Sequence, residues 1–232
     1  TTSGLSGGTI TPSAYSINAS AGMGVYQTTG TGSAGTIAHG LGKVPEFIIS
    51  KRTSHSGSFV VYHKSIGNAN EFYLNATDGQ SSASATWNST TPTSTVWSVG
   101  NDQNNTSGYT IITYAFAPVR GFSHFGTYDG SANANGVFVH CGFKPGWLMI
   151  KSTTASTQWI MFDNKRGYNG SNGQLYADSS EAEGTAESVD FVSNGFKLRA
   201  ADNGVNAAQK YCYMAFAADP FVASNGNPST AR

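Results

Sequence analysis

Charged side chains are scarce in this chain of 232 residues. Asp, Glu, Lys and Arg together make up 11% of the sequence, against about 25% in an average soluble domain. Thirteen cationic residues balance thirteen acidic ones, and the cations cluster only in pairs such as Lys165-Arg166. Binding to nucleic acid through phosphate neutralisation needs a larger cluster, so the sequence predicts no nucleic-acid partner.

Long apolar runs are also missing. No apolar segment approaches the roughly 20 residues of a transmembrane helix, and residues 1–10 lack the basic and apolar regions of a secretory signal peptide. We therefore expect no membrane partner. We interpret residues 1–21 as the end of a longer upstream region.

Cysteine occurs only twice, at Cys141 and Cys212. Two cysteines make neither a disulfide framework nor a zinc knuckle, so we expect two buried free thiols, with a single bridge between them as the alternative. No His-x-x-x-His or Cys-x-x-Cys pair accompanies the five histidines. The sequence therefore predicts no metal site and no cofactor.

Glycine, with 28 residues, and aromatic residues, at 12%, are well represented. Abundant Gly, Ser, Thr and Asn exclude a helical bundle, and the aromatic content argues against disorder. Short segments rich in β-branched and aromatic residues, bounded by Gly, Asn or Ser, predict strands. These segments are 47–51, 59–63, 72–74, 96–99 and 109–117 in the first half and 137–139, 147–151, 159–162, 174–176, 196–199 and 211–217 in the second.

The two halves of the chain repeat each other at an offset of 100 residues. Pro45 and Lys51 correspond to Pro145 and Lys151, and the last predicted strands correspond as well. An unchanged offset across separated motifs predicts two copies of one module. About six strands per copy predict the fold class: all-β, with two tandem, internally repeated antiparallel β-sandwich modules of jelly-roll type.

The repeat also predicts the domain boundaries. Residues 25–118 form the first module and residues 125–220 the second, with a connector over 119–124. Residues 1–24 are expected to be an N-terminal connecting segment, and residues 221–232 a C-terminal tail.

The last strand of each copy predicts which side chains face the core. Ile112, Tyr114 and Phe116 alternate along the first copy, and we expect them to point inward. Their equivalents are Cys212, Met214 and Phe216. A packing role therefore explains Cys212 without redox chemistry.

Several strings resemble a domain that recurs at the C-terminal end of tailed-bacteriophage structural proteins, particularly fibre-like and adhesin-like ones. The strings are 30–51, 118–128, 190–199 and 215–217, and the likeness covers residues 5–232. It implies a virion-surface β-module that is often oligomeric, and it brings no catalytic residues with it. Cys141 departs from the pattern, since the family more often has a small polar or aromatic residue there.

Aromatic side chains near polar loops are the candidates for ligand binding. Trp87, Tyr128, Tyr168 and Tyr176 could stack on a sugar ring, while Asn and Ser supply hydrogen bonds to its hydroxyls. The alternative is that these rings cover the ends of the sandwiches.

Some histidine and carboxylate residues could suggest a metal site or a catalytic centre, but each has a structural interpretation. His39 and His140 occupy equivalent turns and are expected to be hydrogen-bonded structural residues, with an ion on a trimer axis as the alternative. The oxygen-rich segments 102–105, 129–130 and 202–204 are interpreted as turns, with calcium binding as the alternative. Asp163 is interpreted as the partner of a neighbouring cation. No serine triad motif is present, and no catalytic residue is predicted.

We therefore expect a virion-surface, extracellular structural protein that is not an enzyme. It would be a tail or head fibre or receptor-binding (adhesin) module, with a host-surface glycan or receptor and other virion proteins as partners. We expect a homo-oligomer, with a trimer favoured. A purely structural decoration or fibre-forming subunit and a glycan-cleaving depolymerase are the alternatives.

Overall fold

The computed structural model describes residues 4–167, 169–186 and 188–219. Every regular element within them is a strand, and the strands form four antiparallel sheets. The chain divides into two compact units. The first comprises the described residues up to Leu74 together with 80–118, and the second comprises 75–79 and the described residues from Val119 onward.

The first unit is a β-sandwich. Its described strands are β1 (Ala14–Asn18), β2 (Met23–Thr29), β3 (Gly35–Ala38), β4 (Phe47–Arg52), β5 (Val60–His63), β6 (Asn70–Tyr73), β7 (Ser81–Ser82), β8 (Val96–Val99) and β9 (Thr110–Phe116). Seven strands form one sheet in the order β1-β2-β9-β4-β5-β6-β7, and β3 pairs with β8 in the other. Side chains from both sheets, including Tyr26, Ile48 and Trp97, form the core.

The second unit is built in the same way. Its described strands are β10 (Ser123–Asp129), β11 (Phe138–His140), β12 (Pro145–Ser152), β13 (Ile160–Asp163), β14 (Asn172–Tyr176), β15 (Gly184–Ala186), β16 (Val189–Val192), β17 (Gly195–Leu198) and β18 (Lys210–Ala217). One sheet has the order β10-β18-β12-β13-β14-β15 and the other the order β11-β17-β16. Leu148, Phe162, Phe196 and Tyr213 belong to its core.

The strand orders confirm the predicted fold class of two internally repeated β-sandwich modules. The run β2-β9-β4-β5-β6-β7 of the first unit recurs as β10-β18-β12-β13-β14-β15 in the second, and the pair β3-β8 recurs as β11-β17. Strand β1 in the first unit and strand β16 in the second are the additions to this shared plan.

The N-terminal segment does more than connect. Within residues 1–24, expected to be a connecting segment, the structure has β1 and the start of β2, and Ile10 forms a β-bridge with Ile37. Tyr15 and Ile17 of β1 pack against the first core, which explains why this segment is ordered. In the segment 119–124, β10 already begins at Ser123. The predicted tail 221–232 lies outside the described residues.

The predicted inward face of the last strand is wrong in the first unit. In β9, Thr113 and Ala115 are buried, whereas Tyr114 is 38% exposed. The reason is the space available on the buried side. The Tyr26 ring occupies the position that a Cβ on Gly24 would take, and Ala115 of β9 is paired with Gly24 beside that ring. Opposite Gly24, the buried side of β9 therefore carries the small Ala115, whereas Tyr114 faces away.

In the second unit, Cys212 and Met214 of the predicted inward face are buried, although they lie outside the core cluster, and both cysteines behave as predicted. Tyr211, Tyr213 and Ala215 of β18 join the core, while Cys212 is buried outside that cluster. Cys141 and Cys212 are both free and buried. Burial raises the pKa of each thiol to about 12, so neither is a thiolate near neutral pH.

Truncation of Ile111 tests the corrected face of β9. Ile111 is fully buried, so we expect Ile111→Ala to lower the free energy of unfolding by about 2–5 kcal/mol. The control is Tyr114→Ser on the opposite face, with an expected cost below about 1 kcal/mol. Urea unfolding of both variants measures this, and a larger loss for Tyr114→Ser would restore the original assignment.

Candidate functional site

A lysine anchors the same loop in both units, half-buried in the first and fully buried in the second. In the first unit, Lys51 Nζ donates to Gly57 O and lies 5.0 Å from the centre of the Phe59 ring. In the second, Lys151 Nζ donates to Thr157 O at 2.6 Å and lies 6.0 Å from the Trp159 ring. The repeat thus preserves a cation–π contact and a loop hydrogen bond at equivalent positions.

Lys151 has a further partner, the segment 75–79. Its Nζ donates to Thr77 O at 2.6 Å, and the same carbonyl accepts from Thr157 N at 2.9 Å. Lys151 is fully buried, and this burial lowers the pKa of its ammonium group to about 8. The segment 75–79 and the loop 153–157 are therefore held together by a charge-assisted pair of hydrogen bonds.

A cavity of about 530 Å³ opens beside these two segments in the second unit. Most of its lining side chains are polar and uncharged. The lining residues are Thr77, Ser156, Thr157, Gln158, Ile160, Gln174, Tyr176, Ala186, Asp202, Asn203 and Gly204. Its volume is within the range of small-ligand sites.

Hydrogen bonds within the protein orient Gln174, Tyr176 and Asp202, three polar residues of the cavity lining. Gln174 Nε2 donates to Tyr176 Oη at 2.6 Å, so the phenolic proton of Tyr176 can be donated to a ligand. Asp202 Oδ1 accepts from Gly204 N at 2.7 Å and from Val205 N at 3.1 Å. This confirms the segment 202–204 as a turn, and it fixes a carboxylate at the edge of the cavity.

Thr157 is the unusual member of the lining. Its side chain is almost fully enclosed, with 7% exposure, yet its Oγ1 has no hydrogen-bond partner within the described residues. An unsatisfied buried hydroxyl costs about 1–3 kcal/mol. Native proteins rarely retain such a group without a role for it. The Oγ1 atom is enclosed, so a ligand hydroxyl that bonds to it must first displace the side chains that cover it.

The equivalent position in the first unit is closed by its own hydrogen bonds. Strand pairing aligns Tyr73 with Tyr176 and Glu71 with Gln174. Tyr73 Oη donates to Glu71 Oε1 at 2.5 Å, and Thr86 Oγ1 lies 2.7 Å from Glu71 Oε2 and also contacts Asp102 Oδ2. The pair bonds internally in both units, but in the first unit Thr86 and Asp102 extend the network.

Thr86 has one hydroxyl proton for two carboxyl groups. It can donate to only one of them, so the second short contact requires a proton on Glu71 or Asp102. Burial raises the pKa of Glu71, and the charge of Asp102 adds to that shift. We therefore assign the shared proton to the Glu71 carboxyl group.

Of the four predicted ligand-binding aromatics, Tyr176 lines the cavity. Trp87 is instead in the first core, 5.7 Å from the Tyr62 ring. Tyr128 is in the second core, where its hydroxyl donates to Val205 O at 2.6 Å. These two rings lie between sheets rather than at loop surfaces, so neither is presented to a ligand. Tyr168 lies outside the described residues.

His39 and Asp163 have structural partners, whereas His140 is exposed beside the Phe138 ring. His39 is fully buried, its Nδ1 accepts from Leu41 N and its Nε2 lies 3.1 Å from Thr93 O, which confirms the structural role and rules it out as a ligand on a symmetry axis. Asp163 forms the predicted ion pair, with Arg166 at 2.7 Å. Among the described residues, no three His, Cys, Asp or Glu side chains are grouped to hold a metal, and no helix could cross a membrane.

Sequence reasoning missed Thr77, Thr157 and Gln174. The repeat contained one signal for Gln174. Glu71 lies two residues before Tyr73 in the first copy, and its amide analogue Gln174 lies two residues before Tyr176 in the second. Thr77 had no such signal, because it reaches the second unit from a segment that lies between β6 and β7 in the chain.

Comparison with known proteins gives one family match. A family model described as a domain of unknown function (DUF7483) matches residues 1–220. No curated protein and no solved structure shows significant similarity to the chain.

Replacement of Glu71 by glutamine tests the shared proton. A carboxyl group whose pKa is raised by folding stabilises the fold below its ordinary pKa of 4.5, and this contribution is lost as the pH rises through the raised value. The amide of Glu71→Gln can donate to Thr86 at every pH. We therefore expect the Tm of the wild type to fall, relative to that of the variant, as the pH rises above about 4.5.

Thermal unfolding followed by circular dichroism across that range measures the difference. Glu181→Gln, in an exposed loop, is the matched control and should follow the wild type. If the Tm of the wild type and that of Glu71→Gln changed in parallel with pH, the assignment of a proton to the Glu71 carboxyl group would be contradicted.

Proposed function

We propose that this chain, which belongs to the family described as a domain of unknown function (DUF7483), is a receptor-binding module that holds a glycan in the cavity of its second β-sandwich. The observation that carries the proposal is the buried Thr157 hydroxyl, which lines the cavity without a protein partner.

The lining has the chemistry that a sugar requires. The side chains of Gln158, Gln174 and Asn203 can each donate and accept hydrogen bonds, as sugar hydroxyls also do. Tyr176 adds a flat ring with a polar tip, and Ile160 adds apolar surface for the C–H groups of a pyranose. Such a mixture of a few polar groups and apolar walls is typical of small-ligand sites.

Binding is favoured over cleavage by the number of carboxylates. Glycoside hydrolysis commonly needs two carboxyl groups about 5–10 Å apart, and the described lining contributes one, Asp202. The candidate carboxylates Asp163 and Glu183 are both paired with Arg166. The proposal is therefore a lectin-like role without covalent chemistry.

The virion surface is the proposed location, on the resemblance of strings such as 30–51 and 190–199 to fibre-like and adhesin-like phage proteins. Other virion proteins and further copies of the chain are its proposed partners there, with a trimer favoured. In such an assembly each copy offers one cavity. Several weak sugar contacts then give firm attachment through effective concentration.

The second candidate is a purely structural subunit that binds only virion proteins. One observation favours it, because Met23, Val25 and Tyr114 are exposed on adjacent strands and Val25 lies directly opposite Tyr114. An exposed apolar group of this kind suits a protein contact. Glycan binding separates the candidates, since this second function requires none.

Replacement of Thr157 by valine tests the glycan site. The change keeps the shape but removes the hydroxyl, so we expect glycan affinity to fall roughly tenfold, which corresponds to about 1.4 kcal/mol. Because the lost hydroxyl has no protein partner, the free energy of unfolding should stay the same or rise by about 1 kcal/mol. A glycan array identifies the ligand, and calorimetry and urea unfolding measure the two quantities.

Thr154→Val is the matched control, because Thr154 is exposed in the same loop and does not line the cavity. Its glycan affinity should equal that of the wild type. Failure of the wild type to bind any glycan, or equal affinity in Thr157→Val, would overturn the assignment of this site.

A further inference from the structure

The charges around the cavity are mainly negative. Asp202 is the charged residue among the described lining residues. Asp78 and Asp178 act electrostatically on Lys151, the cation below the cavity wall. The negative charges thus belong to more than one side chain, and no cationic side chain is among the described lining residues.

The ammonium group of Lys151 is not accessible to a ligand. The side chain is fully buried, and its Nζ donates to the carbonyl oxygens of Thr77 and Thr157 at 2.6 Å each. These bonds direct its protons toward the backbone that forms the wall. A bound carboxylate could form an ion pair with Lys151 only if the hydrogen bonds from Nζ to Thr77 O and Thr157 O were broken.

An anionic sugar therefore meets an unfavourable site. Its carboxylate would lose water and gain no cationic partner among the described lining residues, which is costly for any charge that enters a partly enclosed site. Repulsion from Asp202 adds to this cost. A neutral sugar loses only hydroxyl hydration, which the amides, Tyr176 and Thr157 can replace.

We propose that the cavity binds uncharged sugars in preference to acidic sugars, such as uronic and sialic acids. The carboxylate of Asp202 lines the cavity and repels an anion, and the ammonium group of Lys151 is already bonded to the carbonyl oxygens of Thr77 and Thr157. This inference rests on the proposed glycan-binding function and specifies the class of ligand. Thr157 Oγ1 is the buried contact for one hydroxyl of that sugar.

Matched pairs of sugars test the selectivity. Glucose and glucuronate, galactose and galacturonate, and mannose and mannuronate differ only in the group at C6. An array should carry oligomers of each pair together with other neutral and sialylated glycans. At low ionic strength, we expect a neutral glycan that binds to have at least about tenfold higher affinity than its acidic counterpart.

Asp202→Asn tests the cause of the selectivity. The amide keeps an oxygen for the backbone N–H groups of Gly204 and Val205, so the turn is retained while the charge is removed. We expect the affinity gap between the paired sugars to narrow in this variant, and also to narrow at high salt. Asp129→Asn, an exposed site outside the lining, is the control and should keep the gap.

The outcomes separate the two levels of the proposal. Higher affinity for an acidic sugar that is lost in Thr157→Val would leave the glycan site intact and overturn the charge selectivity. An unchanged gap in Asp202→Asn would overturn the role of Asp202. No binding to any glycan by the wild type would overturn the proposed function, and the selectivity would fall with it.

Discussion

The burial of one ammonium group constrains the second unit. Lys151 has no contact with water, and a buried charge must be compensated by hydrogen bonds. Its protons go to the carbonyl oxygens of Thr77 and Thr157, which brings the segment 75–79 against the loop 153–157. The wall of the cavity follows from this requirement, because both carbonyl groups belong to lining residues.

The two units share one strand arrangement but differ in the hydrogen bonds that polar side chains make at the equivalent positions Glu71 and Gln174. Glu71 and its equivalent Gln174 occupy the same place on matching strands, and each bonds to a tyrosine two residues later. In the first unit Thr86 bonds this group to Asp102, which closes the position. In the second, Gln174 and Tyr176 line the cavity, so the repeated core supports a different polar arrangement in each copy.

Regular features of the fold could be predicted from the sequence, and irregular ones could not. The offset of 100 residues and the short β-rich segments predicted the repeat and most of the long strands, because both are encoded locally. The inward face of β9 was predicted wrongly, since alternation gives the period but not the side, and the ring of Tyr26 over Gly24 decides the side. Of the three predicted aromatics that the structure describes, Tyr176 alone lines the cavity, because the walls depend on contacts between distant segments such as 75–79 and 153–157.

The glycan affinity of Lys151→Met, compared with that of Lys51→Met, tests the central claim most directly. Both variants keep an apolar stem of similar length at equivalent positions of the repeat and lose the bonds from Nζ. The account predicts that Lys151→Met loses glycan binding while the protein remains folded by circular dichroism, and that Lys51→Met binds as the wild type does. Equal affinity in the two variants would contradict the claim that the wall held by Lys151 forms the binding site.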